Sequence, residues 1–262
     1  MRIFHEPDLS STNTVLKSRV ETRQYRRLPV ALTAGAQTAG RGVGHNVWCS
    51  DKDANALFSL AFRPTFLPAE HQFLLNMALS LSMLHTLDAW ARGRRLPSAD
   101  FHLKWPNDLY AGEKKLGGIL FEVSVMGNRC AWAIMGVGVN VNQRVFPSEL
   151  PNPVALCMLE EADAALDMPA LRRAFIQRAA RDYRRLERRL RHRPSAALLQ
   201  RSKKAYLKRL LFFGQSRTYI CMEERMTARL TGVDDYGQAL LEAADGRRFS
   251  CGLKELRYVF GN

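Results

Sequence analysis

The pattern of apolar and polar positions predicts strands and helices over the first two thirds of the chain. Continuous apolar runs at residues 28–37 and 55–64 indicate buried strands, and residues 71–93 repeat apolar positions at helical spacing. Three more apolar segments follow in close succession, at residues 101–106, 114–125 and 130–142. Because short turns join antiparallel neighbours, these segments predict a mixed sheet with helices, the α+β class, rather than strict βαβ alternation.

The C-terminal segment has a different pattern. Four short alternating runs are separated by the turn-forming sequences DDYG and ADGR. Short strands at regular spacing, with no helix to cover them, predict a small closed β-barrel, and the alternative is a sheet that continues the main core. We therefore predict two domains, residues 1–211 and 212–262.

Most of the net charge of +14 lies in one predicted helical segment, from Met168 to about Leu211, with a break at Pro194. Residues 171–210 carry 15 Lys or Arg against two acidic residues, which leaves +1 for the rest of the chain. Apolar residues recur every three or four positions, so the arginines indicate the solvated face of an amphipathic helix. A docking surface for an acidic protein is the second interpretation. Nucleic acid is the third, since Phe175 and Tyr183 belong to the apolar stripe and no aromatic residue is interleaved with the arginines as a stacking platform.

The sequence also bears on compartment and metal content. The first residues lack the features of a signal peptide, and the longest apolar run, FLLNMALSLSML, is too short to span a bilayer. We predict a cytoplasmic protein without membrane contact. Five scattered cysteines, with no CxxC pair, predict free thiols rather than a disulfide framework or a zinc site.

A glycine-rich stretch, TAGRGVGHNVW, lies between the first two predicted strands. Its glycines allow backbone N–H groups to approach an anion closely, and Arg41 adds a guanidinium that suits a phosphate or carboxylate. Trp48 offers a flat face for stacking on a base. The stretch lacks the spacing of P-loop and dinucleotide-binding motifs, so alone it indicates a flexible loop at least as strongly as a ligand site.

Three other segments combine polar and apolar positions. GVGVNVN, residues 136–142, is a strand with glycines, which is typical both of close ligand approach and of a bulge; Asn140 and Asn142 share one face. SSTN before VLKSRV indicates a helix N-cap when taken alone. KWPNDLYAGEKKLGGI, residues 104–119, places three lysines around a predicted hairpin, and a solvated turn would explain them without a ligand.

Taken together, GRGVGHNVW, KWPNDLYAGEKKLGGIL and GVGVNVN, preceded by STN and followed by a β-rich tail, resemble the biotin protein ligase family in content and order. KWPND followed by KLGGIL is the specific part, and the resemblance covers the chain to its end. It implies a catalytic domain of the class II aminoacyl-tRNA synthetase-like α+β type and an SH3-like C-terminal β-barrel.

The resemblance also implies a reaction. ATP, with Mg²⁺, converts biotin to biotinyl-5′-AMP, and a lysine of an acidic biotin carboxyl carrier protein then displaces AMP. Lys115, Arg41 and Asp108 would be catalytic: Lys115 bridges the biotin carboxylate and the α-phosphate, and Asp108 lies near the phosphates or Mg²⁺ and assists deprotonation of the incoming lysine. The biotin-binding residues would be Ser11, Thr12, Asn13, Gln37, Gly40, Arg41, Gly42, Val43, Lys115, Gly118, Gly136 and Gly138. The residues that bind ATP or the adenylate would be Arg41, Trp48, Asn107, Asp108, Lys115 and Asn140.

The sequence departs from the family pattern in two places. Val43 stands where many members carry a second arginine, which predicts faster release of biotinyl-AMP. The short stretch before SSTN predicts a ligase without the N-terminal DNA-binding domain that makes some members repressors.

Two other functions are compatible with parts of the sequence. A lipoate or octanoate transferase would have the same fold, but KWPND, KLGGIL and the C-terminal barrel argue against it. A nucleic-acid-binding protein would use the arginine-rich helix. For the ligase we expect no nucleic-acid partner, and either a monomer or a homodimer.

Overall fold

The computed structural model describes residues 1–44, 46–94, 101–192 (for His192 the backbone only) and 196–260. The strands are β1 (Arg2–Leu9), β2 (Val30–Gln37), β3 (Ala56–Phe62), β4 (Phe101–Lys104), β5 (Asp108–Ala111), β6 (Lys114–Met126), β7 (Arg129–Val139), β8 (Ser216–Cys221), β9 (Glu224–Val233), β10 (Ala239–Ala243), β11 (Arg248–Cys251) and β12 (Leu256–Tyr258). The α-helices are α1 (Thr12–Glu21), α2 (Gln72–Gly93), α3 (Leu156–Leu159), α4 (Met168–His192) and α5 (Ala196–Leu207).

A seven-stranded mixed sheet forms the larger part of the molecule. Its order is β1-β2-β3-β7-β6-β5-β4, in which β1 runs parallel to β2 and the other neighbours are antiparallel. This arrangement confirms the predicted mixed sheet with helices. Two strands were not predicted. β1 is an edge strand whose side chains are mostly exposed, so it lacks an apolar run, and β5 is four residues long and lies between two turns.

The alternation of side chains along the strands separates the two faces of this sheet. Phe58 in β3 and Met135 in β7 belong to the core that packs against α2 and α4, whereas Leu57 packs with α1 on the other face. Gly136 and Gly138 follow the same alternation. The α1 face therefore contains two consecutive outward positions of β7 that have no side chain.

The predicted apolar stripe of the basic helix is confirmed in α4. The residues of the stripe are buried, and α4 packs through them against α2 and β3. Most of the arginines of α4 are exposed on the opposite side of the helix. The stripe consists of Leu171, Phe175, Ala179, Tyr183, Leu186 and Leu190. The predicted break at Pro194 lies outside the described residues. None of the described helices has both the length and the apolar character that crossing a bilayer requires.

The last five strands form a separate antiparallel sheet in the order β11-β10-β9-β8-β12, one strand more than predicted. Within the described ranges, no ladder of hydrogen bonds joins β11 to β12. A closed barrel is therefore not confirmed, and the supported description is a second antiparallel sheet.

The cysteine prediction was wrong for one pair. Cys221 in β8 and Cys251 in β11 form a disulfide, with Cα atoms 6.6 Å apart. Cys49, Cys130 and Cys157 are free. The two paired residues are 30 positions apart in the sequence, and only the folding of the second sheet brings their strands together, so the spacing of the cysteines gave no indication.

The second sheet is attached to the first by buried contacts. The indole N–H of Trp105 donates to the Gly237 carbonyl at 3.0 Å, in the turn between β9 and β10. Arg209, just before β8, donates to both carboxylate oxygens of Asp88 at 2.8 and 3.1 Å and to the Phe101 carbonyl at 2.8 Å. These bonds join the second sheet and its connecting segment to α2 and β4.

We predict that Gly237→Ala destabilises the protein more than Gly246→Ala. Both glycines have positive φ, +90° and +86°, which costs an alanine about 1 kcal/mol or more. A Cβ at Gly237 would also lie 2.3 Å from Phe73, whereas one at Gly246 meets nothing within 4 Å. Overpacking should therefore lower the free energy of unfolding by a further ~1–3 kcal/mol at Gly237, measured by urea denaturation. Equal losses in the two variants would contradict the packing of this turn against α2.

Candidate active site

The centre of the candidate site is a region on the α1 face of the main sheet where glycines let other side chains approach the strands closely. A Cβ at Gly136 would lie 2.8 Å from the Asn13 side-chain oxygen, and one at Gly138 would lie 2.4 Å from the Trp48 indole. Gly118 of β6 pairs directly with Gly138. We call the strand surface of Gly118, Gly136 and Gly138, with Asn13 and Trp48 packed against its two ends, the glycine cleft.

A buried polar network forms the Asn13 end of the glycine cleft. The Thr12 backbone N–H and hydroxyl both donate to the Gln37 side-chain oxygen, at 2.7 and 3.0 Å. The Ser59 hydroxyl donates to Thr12 Oγ1 at 2.8 Å. The Asn13 side-chain amide donates to the Glu122 carboxylate. Ser11 is the N-cap residue of α1, as predicted, but its side chain makes no capping hydrogen bond.

Sequence reasoning missed Ser59 and Glu122. Ser59 is fully buried within an otherwise apolar strand. Glu122 lies four residues after Gly118 in β6. Every second side chain of a strand lies on the same face, so this alternation could have indicated that Glu122 faces the same side as Gly118. A buried polar residue in an apolar strand, and a charge on a ligand-facing strand, are the signals that were available.

The Trp48 end of the glycine cleft contains a cluster of charges. Lys115 Nζ lies 2.8 Å and Lys104 Nζ 3.8 Å from the same Asp108 oxygen. Burial lowers the pKa of Lys104, although the Asp108 carboxylate acts in the opposite direction. Lys114, the neighbouring lysine, is exposed. Two cations thus share one carboxylate, which leaves a net positive charge beside Gly118.

The backbone holds Lys115 in this position. Its N–H donates to the Asn152 carbonyl at 2.9 Å, and its own carbonyl accepts from the Val154 N–H at 3.0 Å. A Cβ at Gly118 would lie 3.3 Å from an Asp108 oxygen, 3.6 Å from Trp48 and 3.9 Å from Lys115 Cε. Gly118 is therefore the point at which these three side chains meet.

The glycine-rich loop closes over the cleft as a small hairpin. Arg41 pairs with Val47, and the Trp48 N–H donates to the Gly40 carbonyl at 3.0 Å. The indole N–H of Trp48 is buried without a hydrogen-bond partner among the described residues. Arg41 is exposed and reaches Thr14 Oγ1 at 3.4 Å. Gly42 and Val43 are half-buried in the loop.

The second sheet lies close to this end of the site. A Cβ at Gly44 would lie 3.4 Å from Lys254 Cε in the β11–β12 loop. Lys104 Nζ lies 5.3 Å from the centre of the Tyr258 ring. The C-terminal sheet therefore contributes side chains around both the glycine-rich loop and the lysine cluster.

Asn107 and Asn140, the two asparagines predicted to bind the adenylate, lie near the lysine cluster, but no hydrogen bond joins either side chain to a lysine among the described residues. Asn107 is buried beside Asp108. Asn140 follows the end of β7, and its side-chain amide donates to the Val154 carbonyl at 3.1 Å. Asn142, predicted to share a strand face with Asn140, also lies beyond the strand and bonds to the backbone of Leu166. Asn140 is thus close to the Lys115 segment, with its amide N–H₂ engaged.

No group of three or more His, Cys, Asp or Glu residues that could hold a metal occurs in the part of the chain that the structure describes. Asp108 is the carboxylate nearest the lysines, and both lysines approach the same one of its oxygens. A magnesium ion at this site would therefore depend on oxygen ligands from a bound phosphate, with Asp108 as the protein ligand.

A separate cavity of about 700 Å³ lies between α2, α4 and α5, on the other side of the main sheet. Its lining includes four arginines of the basic segment and several apolar residues. It shares no residue with the glycine cleft and does not contribute to the site described above.

Comparison with known protein families identifies the family of this chain. Residues 7–140, which include the glycine cleft from β1 to Asn140, match the model of the Biotin/lipoate A/B protein ligase family. The chain belongs to this family.

Individual members of the biotin/lipoate ligase family agree with that assignment. A biotin--[acetyl-CoA-carboxylase] ligase of Mycobacterium tuberculosis is 36% identical over 138 residues, which cover 53% of this chain and 48% of the relative. The bifunctional ligase/repressor BirA of Escherichia coli is 30% identical over 171 residues, covering 65% and 50%. The chain spans about half the length of these curated relatives.

A solved structure is similar to this chain over nearly its whole length. The biotin protein ligase of Aquifex aeolicus, solved in complex with biotin and ATP, has a TM-score of 0.74 at 25% identity and covers 98% of this chain and 99% of its own. The second sheet is therefore part of the shared architecture.

We predict that Gly138→Ala displaces the Trp48 indole, because the new Cβ would lie 2.4 Å from the ring. Acrylamide quenching of tryptophan fluorescence should increase, and the Trp48→Phe variant identifies the Trp48 component. Gly232→Ala is the control, since its Cβ would make an ordinary 3.5 Å contact with Leu240. Unchanged quenching in Gly138→Ala would contradict the contact between the indole and β7.

Proposed function

We propose that this chain is a biotin protein ligase that activates biotin with ATP to biotinyl-5′-AMP and transfers biotin to a lysine of a biotin carboxyl carrier protein. The glycine cleft is the observation that carries the proposal. It has a network of hydroxyl and amide groups at one end and a lysine cluster beside an indole at the other, which suits a ligand with a polar ring, an acyl phosphate and a base.

The Asn13 end would bind the ureido ring of biotin. Ser11, Thr12, Asn13 and Gln37 are the predicted contacts. Thr12 is bonded to the half-buried Gln37, and the buried Ser59 links Thr12 to Asn13. A buried network holds its donors and acceptors in fixed directions before the ligand arrives, which reduces the cost of ordering them on binding. The backbone from Gly40 to Val43 would cover the ligand.

The lysine cluster would stabilise the charge that develops in the first step. A biotin carboxylate oxygen attacks the α-phosphorus of ATP, and pyrophosphate leaves. Lys115 would neutralise negative charge on the carboxylate and the α-phosphate. Arg41, which lies on the glycine-rich loop near Thr14 and Glu122, is proposed to assist. Magnesium, when bound with ATP, would screen the phosphate charge, and Asp108 is the residue proposed to hold it.

The indole end would bind the adenosine. Trp48 would stack against adenine, with Asn107 and Asn140 close to the nucleotide. In the second step the acceptor lysine amine attacks the acyl carbon and AMP leaves. Because a lysine amine has a pKa of about 10.4, it must first lose a proton. We propose Asp108 as the group that assists this loss.

The remaining parts of the proposal concern architecture and partners. We propose the class II synthetase-like catalytic unit at residues 1–211 and an SH3-like barrel at residues 212–262. The disulfide supports a curled second sheet: β8 and β11 are three places apart in the strand order, about 14 Å in a flat sheet, yet the paired Cα atoms are 6.6 Å apart. We also propose that the acceptor is an acidic carrier domain, that the protein is a monomer or a homodimer, and that it is located in the cytoplasm.

A single reaction tests the function. The protein is incubated with ATP, Mg²⁺, labelled biotin, lipoate or octanoate, and a biotin carboxyl carrier domain. Labelled biotin on one lysine of the carrier supports the proposal. Preferential transfer of lipoate or octanoate would assign the chain to the other branch of its family. If no acid is transferred, a separate titration with RNA that shows salt-sensitive binding would favour a nucleic-acid-binding role for α4.

We predict that Lys115→Met lowers the rate of biotinyl-AMP formation by about 10²–10³-fold, the usual effect of losing one preorganised charge in an active site. Lys114→Met is the matched control. Lys114 is exposed in the same hairpin, so its loss should change the rate by less than about twofold. Pyrophosphate release measures both rates. Similar losses in the two variants would contradict the assignment of Lys115.

We predict that Val43→Arg slows dissociation of biotinyl-AMP by about tenfold, because a charge-assisted hydrogen bond would be added in the glycine-rich loop. Val47→Arg places the same charge at a position of the loop that is 66% exposed and should have a smaller effect. Adenylate release is followed by single-turnover trapping. An unchanged release rate in Val43→Arg would contradict the proposed weakness of the loop.

A further inference from the structure

Glu122 is a carboxylate in the glycine cleft to which the reaction proposed above gives no role. It accepts a hydrogen bond from the Asn13 side-chain amide, and it lies 3.4 Å from Lys17 Nζ and 3.8 Å from Arg41 Nη2. Its side chain is 21% exposed. Glu122 thus joins helix α1, strand β6 and the glycine-rich loop at the Asn13 end of the cleft.

The Glu122 carboxylate determines which way the Asn13 amide points. An ionised carboxylate only accepts hydrogen bonds, so the N–H₂ of Asn13 has to face it. The Asn13 oxygen then faces the other way, 3.4 Å from the Ser59 hydroxyl and 2.8 Å from the place of a Cβ at Gly136. That oxygen therefore lies on the cleft side, over the glycine.

We propose that Glu122 is a positioning residue that fixes the Asn13 amide so that the cleft presents an acceptor oxygen to an N–H donor of the ligand. This inference rests on the proposed function. The ureido ring of biotin carries two N–H donors, whereas the dithiolane of lipoate and the chain of octanoate carry none. Glu122 therefore contributes to the choice of biotin over these acids without touching the ligand.

The Glu122→Gln variant tests the inference. A glutamine amide can donate or accept, so it no longer requires one orientation of Asn13. The KM for biotin in adenylate formation should rise by about tenfold, the equivalent of one hydrogen bond. The KM for ATP should stay within about twofold, and the preference for biotin over octanoate should fall by the same factor as the biotin KM rises.

Three further variants separate positioning from a general loss of structure. Glu122→Asp keeps a group that only accepts, so it should retain more of the biotin preference than Glu122→Gln. Glu113→Gln removes a charge from the β5–β6 turn and should leave both KM values unchanged. In an Asn13→Ala background, Glu122→Gln should add less than about twofold to the biotin KM, because the residue through which Glu122 acts is already absent.

The outcomes distinguish this inference from the proposed function. If the wild-type protein forms no biotinyl-AMP, the proposed function fails and this inference fails with it. If the wild type is active and Glu122→Gln leaves the biotin KM unchanged, only the role of Glu122 is overturned. Fully additive effects of Asn13→Ala and Glu122→Gln would also overturn it, since Glu122 would then act independently of Asn13.

Discussion

The site depends on the absence of side chains at Gly136 and Gly138. The main sheet is covered by α1 on this face, and any Cβ at these two positions of β7 would overlap Asn13 or Trp48. The glycines let a helix residue approach the strand at one end and a loop indole approach it at the other. This close approach brings a polar network and a charge cluster from different elements to the same face of β6 and β7.

Each end of the glycine cleft pairs one carboxylate with two cations. Glu122 lies near Lys17 and Arg41 at the Asn13 end, and Asp108 lies near Lys104 and Lys115 at the Gly118 end. The second sheet adds Lys254 beside the glycine-rich loop and Tyr258 beside Lys104. This additional cation gives the Gly118 end the larger positive charge, which suits the phosphate of an acyl adenylate. The arginines of α4 lie on the opposite face of the main sheet and have no part in this asymmetry.

The sequence allowed prediction of the elements that carry long apolar runs, whereas the ligand contacts assigned from the family motifs stay predictions. β2, β3, α2, β6 and β7 have such runs, and the pairing of Lys115 with Asp108 agrees with their closeness in one motif. Residues outside those motifs were harder to predict. Ser59 and Glu122 join the site through strand alternation and contact with α1, which depend on register rather than on local pattern. β1 was missed because an exposed edge strand needs no apolar face, and the Cys221–Cys251 bond because the folding of the second sheet determines it.

The central claim is that one ligand occupies the glycine cleft from Asn13 to Trp48, and a crystal structure of the protein with biotin and a non-hydrolysable ATP analogue tests it most directly. We expect the biotin ring beside Asn13, its carboxylate and the α-phosphate beside Lys115, and the adenine against Trp48. Density for either ligand in the cavity between α2, α4 and α5, with the glycine cleft unoccupied, would contradict it.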